Sequence, residues 1–177
     1  MDNLIIRDAS PDDAEKLLEI YSHYVKNTAI SYEYEVPSCE EFRKRIETTL
    51  EKYPYLVLEK DGEAIGFSYA GPFKTREAYR YSVETTIYLK NGLQKKGYGR
   101  ILLSALENEL RKRGFTNANA CIAFTEPDDE YLNRNSMEFH SRMGYLLVGR
   151  FHKCACKFGR WYDMIWMEKH IGEHKSV

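Results

Sequence analysis

The stretch 81–110 constrains this chain more than any other. Residues 81–89 alternate polar with apolar and β-branched side chains and read as a strand, followed by a polar turn at 90–92. Gln94, Lys95, Lys96, Gly97, Tyr98, Gly99 and Arg100 then lead into an amphipathic helical pattern that runs through Arg113. A strand that feeds a glycine loop opening a helix is a recurring way to hold phosphate. The glycines let the backbone come close, the first-turn N–H groups point at the anion, and the helix dipole favours negative charge. Lys95, Lys96 and Arg100 add cations to the loop, and the preceding strand carries one carboxylate, Glu84. The unit is therefore expected to grip a phosphate-bearing cofactor, with Glu84 at work beside it.

Bulk properties narrow the remaining choices. The 177 residues suit one domain, 1–177, with a short polar tail after about 170. A formal net charge of -1 gives no electrostatic case for a nucleic-acid partner. No apolar run approaches the roughly 20 residues of a membrane helix, and the first ten residues lack the apolar core of a signal peptide. Four cysteines without a Cys-x-x-Cys spacing read as reduced thiols of a cytoplasmic protein. Cys154 and Cys156 share a strand face with His152 in phase, but no fourth ligand is evident, so no metal is expected.

The remaining elements follow from local signals. A short strand at 4–7 precedes Ser10-Pro11-Asp12-Asp13, an N-cap with proline at the first helical position, and the helix should reach about Asn27. Ser38-x-x-Glu41 is a capping box that opens a second helix, with Phe42, Ile46 and Leu50 at fourfold spacing. Apolar runs at 55–60 and 63–70 flank Asp61-Gly62, a hairpin signal. Gly114 sits where a helix-ending glycine belongs, ahead of a buried strand at 118–124. A short helix at 133–143 and strands at 145–156 and 161–169 complete the chain. The order is β-α-α-β-β-β-α-β-α-β-β, an α/β fold with a mixed central sheet and helices on both faces. The helical crossover from 81–89 to 118–124 should make those two strands parallel neighbours.

At these residues the chain resembles a known family. Gln94-x-x-Gly97-x-Gly99 is similar to the acyl-CoA signature of the GNAT acetyltransferases. Asn133-x-x-Ser136-x-x-Phe139-His140-x-Arg142-Met143-Gly144-Tyr145 resembles the second motif of the same superfamily. The likeness spans nearly the whole chain and is nearest to the phosphinothricin N-acetyltransferase branch, in four stretches. These are Gly71-Pro72-Phe73-Lys74-x-Arg76-x-Ala78-Tyr79, Val83-Glu84-Thr85-Thr86-Ile87-Tyr88, Phe139-His140 and Gly159-Arg160-Trp161-Tyr162-Asp163.

The resemblance implies a GNAT-like fold, acetyl-CoA as acetyl donor, a small amine acceptor and a homodimer. It implies that the loop residues Gln94 to Arg100 hold the pyrophosphate and that the backbone of Ile87, Tyr88 and Leu89 pairs with the pantetheine arm as an added strand. Acetyl transfer needs a deprotonated amine, a stabilised oxyanion and a protonated leaving thiolate. Glu84 is the expected general base. A free glutamate near ~4.3 matches an amine poorly, so burial must raise it or water must relay the proton. His140 occupies the place where much of the superfamily has a tyrosine that can protonate the thiolate, and it can serve as acid or base. Asn133 and Asn135 both remain candidates for the pantetheine contact, with Ser136 beside them, and both also suit plain helix caps. Lys74, Arg76 and Tyr79 resemble the branch's substrate loop, where cations suit an acidic or zwitterionic acceptor. Tyr32 and Trp161 could wall the pocket. Glu33 stands where the branch pattern would place a base, and the 125–132 loop is longer and more acidic than that pattern. The rival readings are an acyl-CoA-binding sensor without catalysis and an enzyme that acetylates a protein or peptide amine.

Overall fold

The computed structural model describes residues 3–175. Its seven strands form one sheet in the order β1-β2-β3-β4-β5-β7-β6. The strands are β1 (Leu4–Asp8), β2 (Tyr55–Lys60), β3 (Glu63–Pro72), β4 (Ser82–Leu89), β5 (Asn117–Phe124), β6 (Leu146–Lys157) and β7 (Arg160–His170). The helices are α1 (Ala14–Asn27), α2 (Cys39–Leu50), α3 (Tyr98–Lys112) and α4 (Asn135–Arg142).

Strand alternation builds two cores. On β2, Tyr55 and Val57 join Phe67, Leu17, Tyr21, Phe42 and Ile46 under α1 and α2. Leu56 and Leu58 point the other way, into a cluster with Leu102, Leu103, Leu106 and Leu110 of α3. Successive side chains face opposite sides of a strand, so a strand covered on both faces must be apolar throughout. Tyr55 to Leu58 are all buried.

Pairing is antiparallel everywhere except between β4 and β5, which are parallel through the α3 crossover. That parallel contact is brief. It covers Ser82–Asn117, Val83–Ala118 and Glu84–Asn119. Beyond Glu84, β4 stays with β3 as far as Leu89, and β5 stays with β7 as far as Phe124. The sheet therefore forks at Glu84. Two side chains close the crotch: Thr85 Oγ1 donates to the Asn119 carbonyl at 3.2 Å, and Asn119 Nδ2 donates to the Val83 carbonyl at 3.0 Å.

Element boundaries shift for visible reasons. The expected first helix begins as a 3-10 turn at Pro11–Asp13, and α1 itself starts at Ala14. The Asp13 carboxylate accepts from the Ser10 N–H at 2.8 Å and pairs with Arg7 at 2.7 Å, which ties the helix start to β1. α4 starts at Asn135, because Asn133 Oδ1 accepts from the Asn135 N–H at 3.1 Å in a turn before the helix. β3 runs on past Ala70 to Pro72, which sets Gly71 opposite Glu84. The tail is not loose at Ile171: its side chain is 6% exposed and its N–H bonds the Thr116 carbonyl at 2.8 Å. Residues 176 and 177 of the expected polar tail lie outside the described residues.

Candidate active site

The fork encloses a cavity of about 200 Å³ lined by Glu84, Tyr88, Cys121, His140 and Met164, with Tyr32 from the loop after α1. Glu84 faces the α1–α2 side together with Thr86 and Tyr88, as the period of a strand requires. Burial pushes its carboxyl above the ordinary carboxylate value, and the nearby Lys74 ammonium partly offsets this. Directly across the ladder stands Gly71, where an added Cβ would meet nothing within 4 Å. The space beside Glu84 is therefore open on the β3 side.

His140 comes from α4 and is 4% exposed. Its Nδ1 lies 2.8 Å from the Ser136 carbonyl oxygen. A carbonyl only accepts, so Nδ1 carries the hydrogen and Nε2 of the neutral ring keeps its lone pair. Burial lowers the imidazole pKa, against a smaller opposing effect of the Ser136 bond. The ring is wedged edge-on between Phe139 and Tyr145, each with centroids at 5.1 Å. The neutral ring thus has a nitrogen that can accept a proton. Cys121 is accessible in the open fork, yet local desolvation and the Glu84 charge push its thiol up to about 12. It stays protonated at neutral pH and is a poor nucleophile.

At the far end of β4 the glycine loop forms a cradle. Lys95 and Gly97 take left-handed φ values of 63° and 88°, and Gly97 is the N-cap of α3. Among the described residues, the backbone N–H groups from 95 to 100 donate to no protein atom. Lys95, Lys96 and Arg100 are exposed and engage in no ion pair there. Such a row of free donors and cations has the chemistry that suits an anion. Gly99 has a different task. A Cβ there would sit 3.1 Å from the Phe139 ring, so the glycine lets α3 approach α4 next to His140.

The other residues singled out from the sequence divide. The side chains of Ile87 and Leu89 pack on the α3 core, and Tyr88 packs on the α1–α2 core. Their backbone edge toward β5 has no strand partner. The Gln94 carboxamide turns away from the cradle: it accepts from the Gly92 N–H at 2.9 Å and reaches the Tyr24 hydroxyl at 3.4 Å. Gln94 braces the loop from behind. Ser136 lines the cavity, whereas neither Asn133 nor Asn135 does. Arg76 is exposed, and Tyr79 lies edge-on to Phe73 at 5.9 Å outside the cavity. Trp161 is 64% exposed and lines no part of the fork, because its place on β7 turns it to the surface.

Several contributors carry no local sequence signal. Lys157 is 2% exposed, and its Nζ donates to the carbonyls of Val25, Thr28 and Ser31 at 2.8, 2.8 and 2.6 Å. This one ammonium ends α1 and fixes the loop that carries Tyr32. The Tyr32 hydroxyl in turn donates to the Asp163 carbonyl at 2.6 Å. Tyr69 reaches the cavity from β3. Among the described residues no group of three or more His, Cys, Asp or Glu side chains is placed to hold a metal ion. No helix there is long and apolar enough to cross a membrane.

Comparison with known proteins agrees with this geometry. The acetyltransferase (GNAT) domain model matches residues 6–166. The chain belongs to the GNAT acetyltransferase family. A phosphinothricin N-acetyltransferase of Streptomyces viridochromogenes is 31% identical over 90% of this GNAT chain and 83% of its own. An L-methionine sulfoximine/L-methionine sulfone acetyltransferase of Salmonella typhimurium is 31% identical over 98% of both chains. Among solved structures, a phosphinothricin acetyltransferase of Sinorhizobium meliloti in complex with acetyl-CoA superposes with a TM-score of 0.87 at 34% identity, covering 96% of this chain and 89% of that one.

Proposed function

We propose that the protein transfers an acetyl group from acetyl-CoA directly to the amine of a small amino acid or an analogue of the sulfone, sulfoximine or phosphinic type. The observation that carries this reading is the fork itself. It gives β4 an unpaired backbone edge, with a phosphate cradle at one end and a buried carboxylate and imidazole at the other. Relatives named for those acceptors match nearly the full length of the chain, which supports the substrate class.

Acetyl-CoA, when bound, supplies an activated thioester. The loop N–H groups from 95 to 100, with Lys95, Lys96 and Arg100, hold its pyrophosphate, and the backbone of Ile87, Tyr88 and Leu89 holds the pantetheine arm as a strand. Glu84 removes one proton from the incoming ammonium, directly or through water, which its raised pKa favours. His140 Nε2 takes the second proton as the C–N bond forms and returns it to the departing sulfur. A backbone N–H on the free edge of β4 steadies the developing oxyanion. The protonated Cys121 thiol argues against a covalent acetyl-enzyme. Lys74, the cation nearest Glu84, meets the acceptor's carboxylate. Thiol release from acetyl-CoA, followed with methionine sulfone, methionine sulfoximine and phosphinothricin, tests the reading. At least one should be acetylated, with a ternary-complex rather than a ping-pong rate pattern; no turnover with any of them sinks it.

A second copy covers the free edge of the sheet in this reading. Leu146, Leu147, Val148 and Phe151 of the terminal strand β6 are 56–72% exposed, a patch that a lone molecule rarely keeps. Val148→Lys should convert a dimer to a monomer in light scattering.

A further inference from the structure

A second cavity of about 420 Å³ lies under α2, walled by Tyr21, Phe42, Tyr55, Phe67, Tyr69 and Tyr88. It meets the fork cavity at Tyr69 and Tyr88, which line both. The sheet explains why the two are neighbours: Tyr55, Tyr69 and Thr86 form one cross-strand row, and Gly71 with Glu84 forms the row two residues on. No side chain stands on β3 between Glu84 and the tyrosine wall. The rings are mutually stacked, with Tyr55 at 4.8 Å from Tyr69 and 5.9 Å from Phe67, so the walls are rigid. At the rim Arg45 is tied to Glu33 at 2.7 Å and to Glu41 at 2.5 Å, while Lys44 stands exposed without an ion pair among the described residues.

Two hydroxyls inside are left over. The hydroxyls of Tyr55 and Tyr88 have no hydrogen-bond partner among the described residues, and both oxygens stay accessible in the cavity that these residues line. A cavity hydroxyl with no protein partner is free to pair with a ligand atom, and a ligand that makes the bond is favoured over one that cannot. We propose that this cavity is a side-chain pocket for the acceptor. It takes an aromatic amino acid whose ring bears a hydrogen-bonding atom, a phenol or an indole, while the amine rests at Glu84. The pocket exceeds what a sulfone-bearing side chain fills. Its aromatic walls favour ring stacking, and its hydroxyls favour a polar ring over a plain one.

This inference rests on the acetyl-transfer reading, and the experiment separates the two. Thiol release from acetyl-CoA is measured with tyrosine, tryptophan, phenylalanine, alanine and methionine sulfone, for the wild type, Tyr55→Phe and Thr48→Trp. The expected kcat/KM for tyrosine and tryptophan exceeds that for alanine by about 10-fold or more, and tyrosine exceeds phenylalanine by about 3–10-fold, the worth of one neutral hydrogen bond. Tyr55→Phe should abolish the tyrosine-over-phenylalanine preference and leave phenylalanine unchanged, a result that a merely structural hydroxyl would not give. Thr48→Trp, an exposed position on α2 at the mouth, should remove the aromatic advantage and spare methionine sulfone. Aromatic amino acids no better than alanine, or a tyrosine preference that survives Tyr55→Phe, would overturn the pocket. Turnover of methionine sulfone in that case would leave the acetyltransferase reading standing, and no turnover with any acceptor overturns both.

Discussion

The two sides of the β4 cleft are built on opposite electrostatic plans. On the cofactor side, Lys95, Lys96 and Arg100 stand in solvent without carboxylate partners, above a row of free backbone donors. On the side of the fork several charges are tied down, although Lys74 is held by no carboxylate among the described residues and rests against the Phe73 and Trp166 rings. Arg45 is held by Glu33 and Glu41, Arg150 by Asp163 at 2.5 Å, and Lys157 by three carbonyls. The difference follows from what each side must recognise. A polyanion is attracted from a distance by unpaired cations and arrives with its own counter-charge. A small amine acceptor is selected by shape and by one or two polar contacts, which requires walls that do not move. In the proposed reading the loop keeps its charge free for the cofactor, while the fork uses Arg45, Arg150 and Lys157 to hold itself in place and leaves Lys74 for the acceptor.

The largest effect should come where the two sides meet. Glu84→Gln is expected to lower kcat by about 100-fold or more, the usual scale for a lost general base. Because burial raises the Glu84 pKa, activity needs the ionised form and falls as pH drops through that raised value; the neutral His140, with its lowered pKa, does not limit that range from above. The glutamine variant should lose the Glu84 share of this acid limb and keep only the share set by His140, whose neutral form the proposed reaction also needs. A pH–rate profile with the limb intact would assign the proton transfer elsewhere.

The pre-built acceptor side can be broken at Lys157. Lys157→Met leaves three carbonyls without their donor and is expected to cost about 3 kcal/mol. In a chain of this size that is a fall of roughly 6–12 °C in Tm by calorimetry. The KM for the acceptor should rise while that for acetyl-CoA stays put. An equal rise in both would mean that the two sides are not independently built.

Gly71→Val sharpens the same point on the acceptor side. The added side chain meets open space, so stability should hardly change, while the acceptor KM rises about 10-fold as the gap beside Glu84 fills. An unchanged acceptor KM in steady-state assays would place the acceptor on another path.

The smallest effect belongs to exposed charge. Lys95→Ala combined with Lys96→Ala should raise the KM for acetyl-CoA about 3–10-fold at low ionic strength, and salt should erase most of the difference. A salt-independent defect would show the lysines to be structural parts of the loop instead.

How much of this was legible beforehand depends on how far apart the parts lie in the chain. The strand, the glycine loop, the parallel crossover and the helix-ending Gly114 are written in contiguous residues. Backbone preference and dipole act there over one or two turns, so spacing alone finds them. Glu84 and His140 could be named, but not the tautomer of His140, since that depends on which way α4 turns its Ser136 carbonyl. Trp161 shows the reverse case. A large aromatic beside a turn looks like a pocket wall, and only the pairing of β6 with β7 sends it outward. Gln94, part of the motif, braces the loop against Tyr24, a contact between residues 70 positions apart.

The sequence alone determined the order of the elements, the sheet's one parallel step, the glycine loop that opens α3 and the family likeness, because each is set by short-range periodicity or by a local run of residues. The tertiary structure alone decided that the sheet forks at Glu84, that Lys157 fastens the α1 loop, and that two partnerless tyrosines line a pocket under α2. Those facts depend on which distant surfaces are pressed together and which polar groups thereby gain or lack a protein partner, and no window along the chain holds that information.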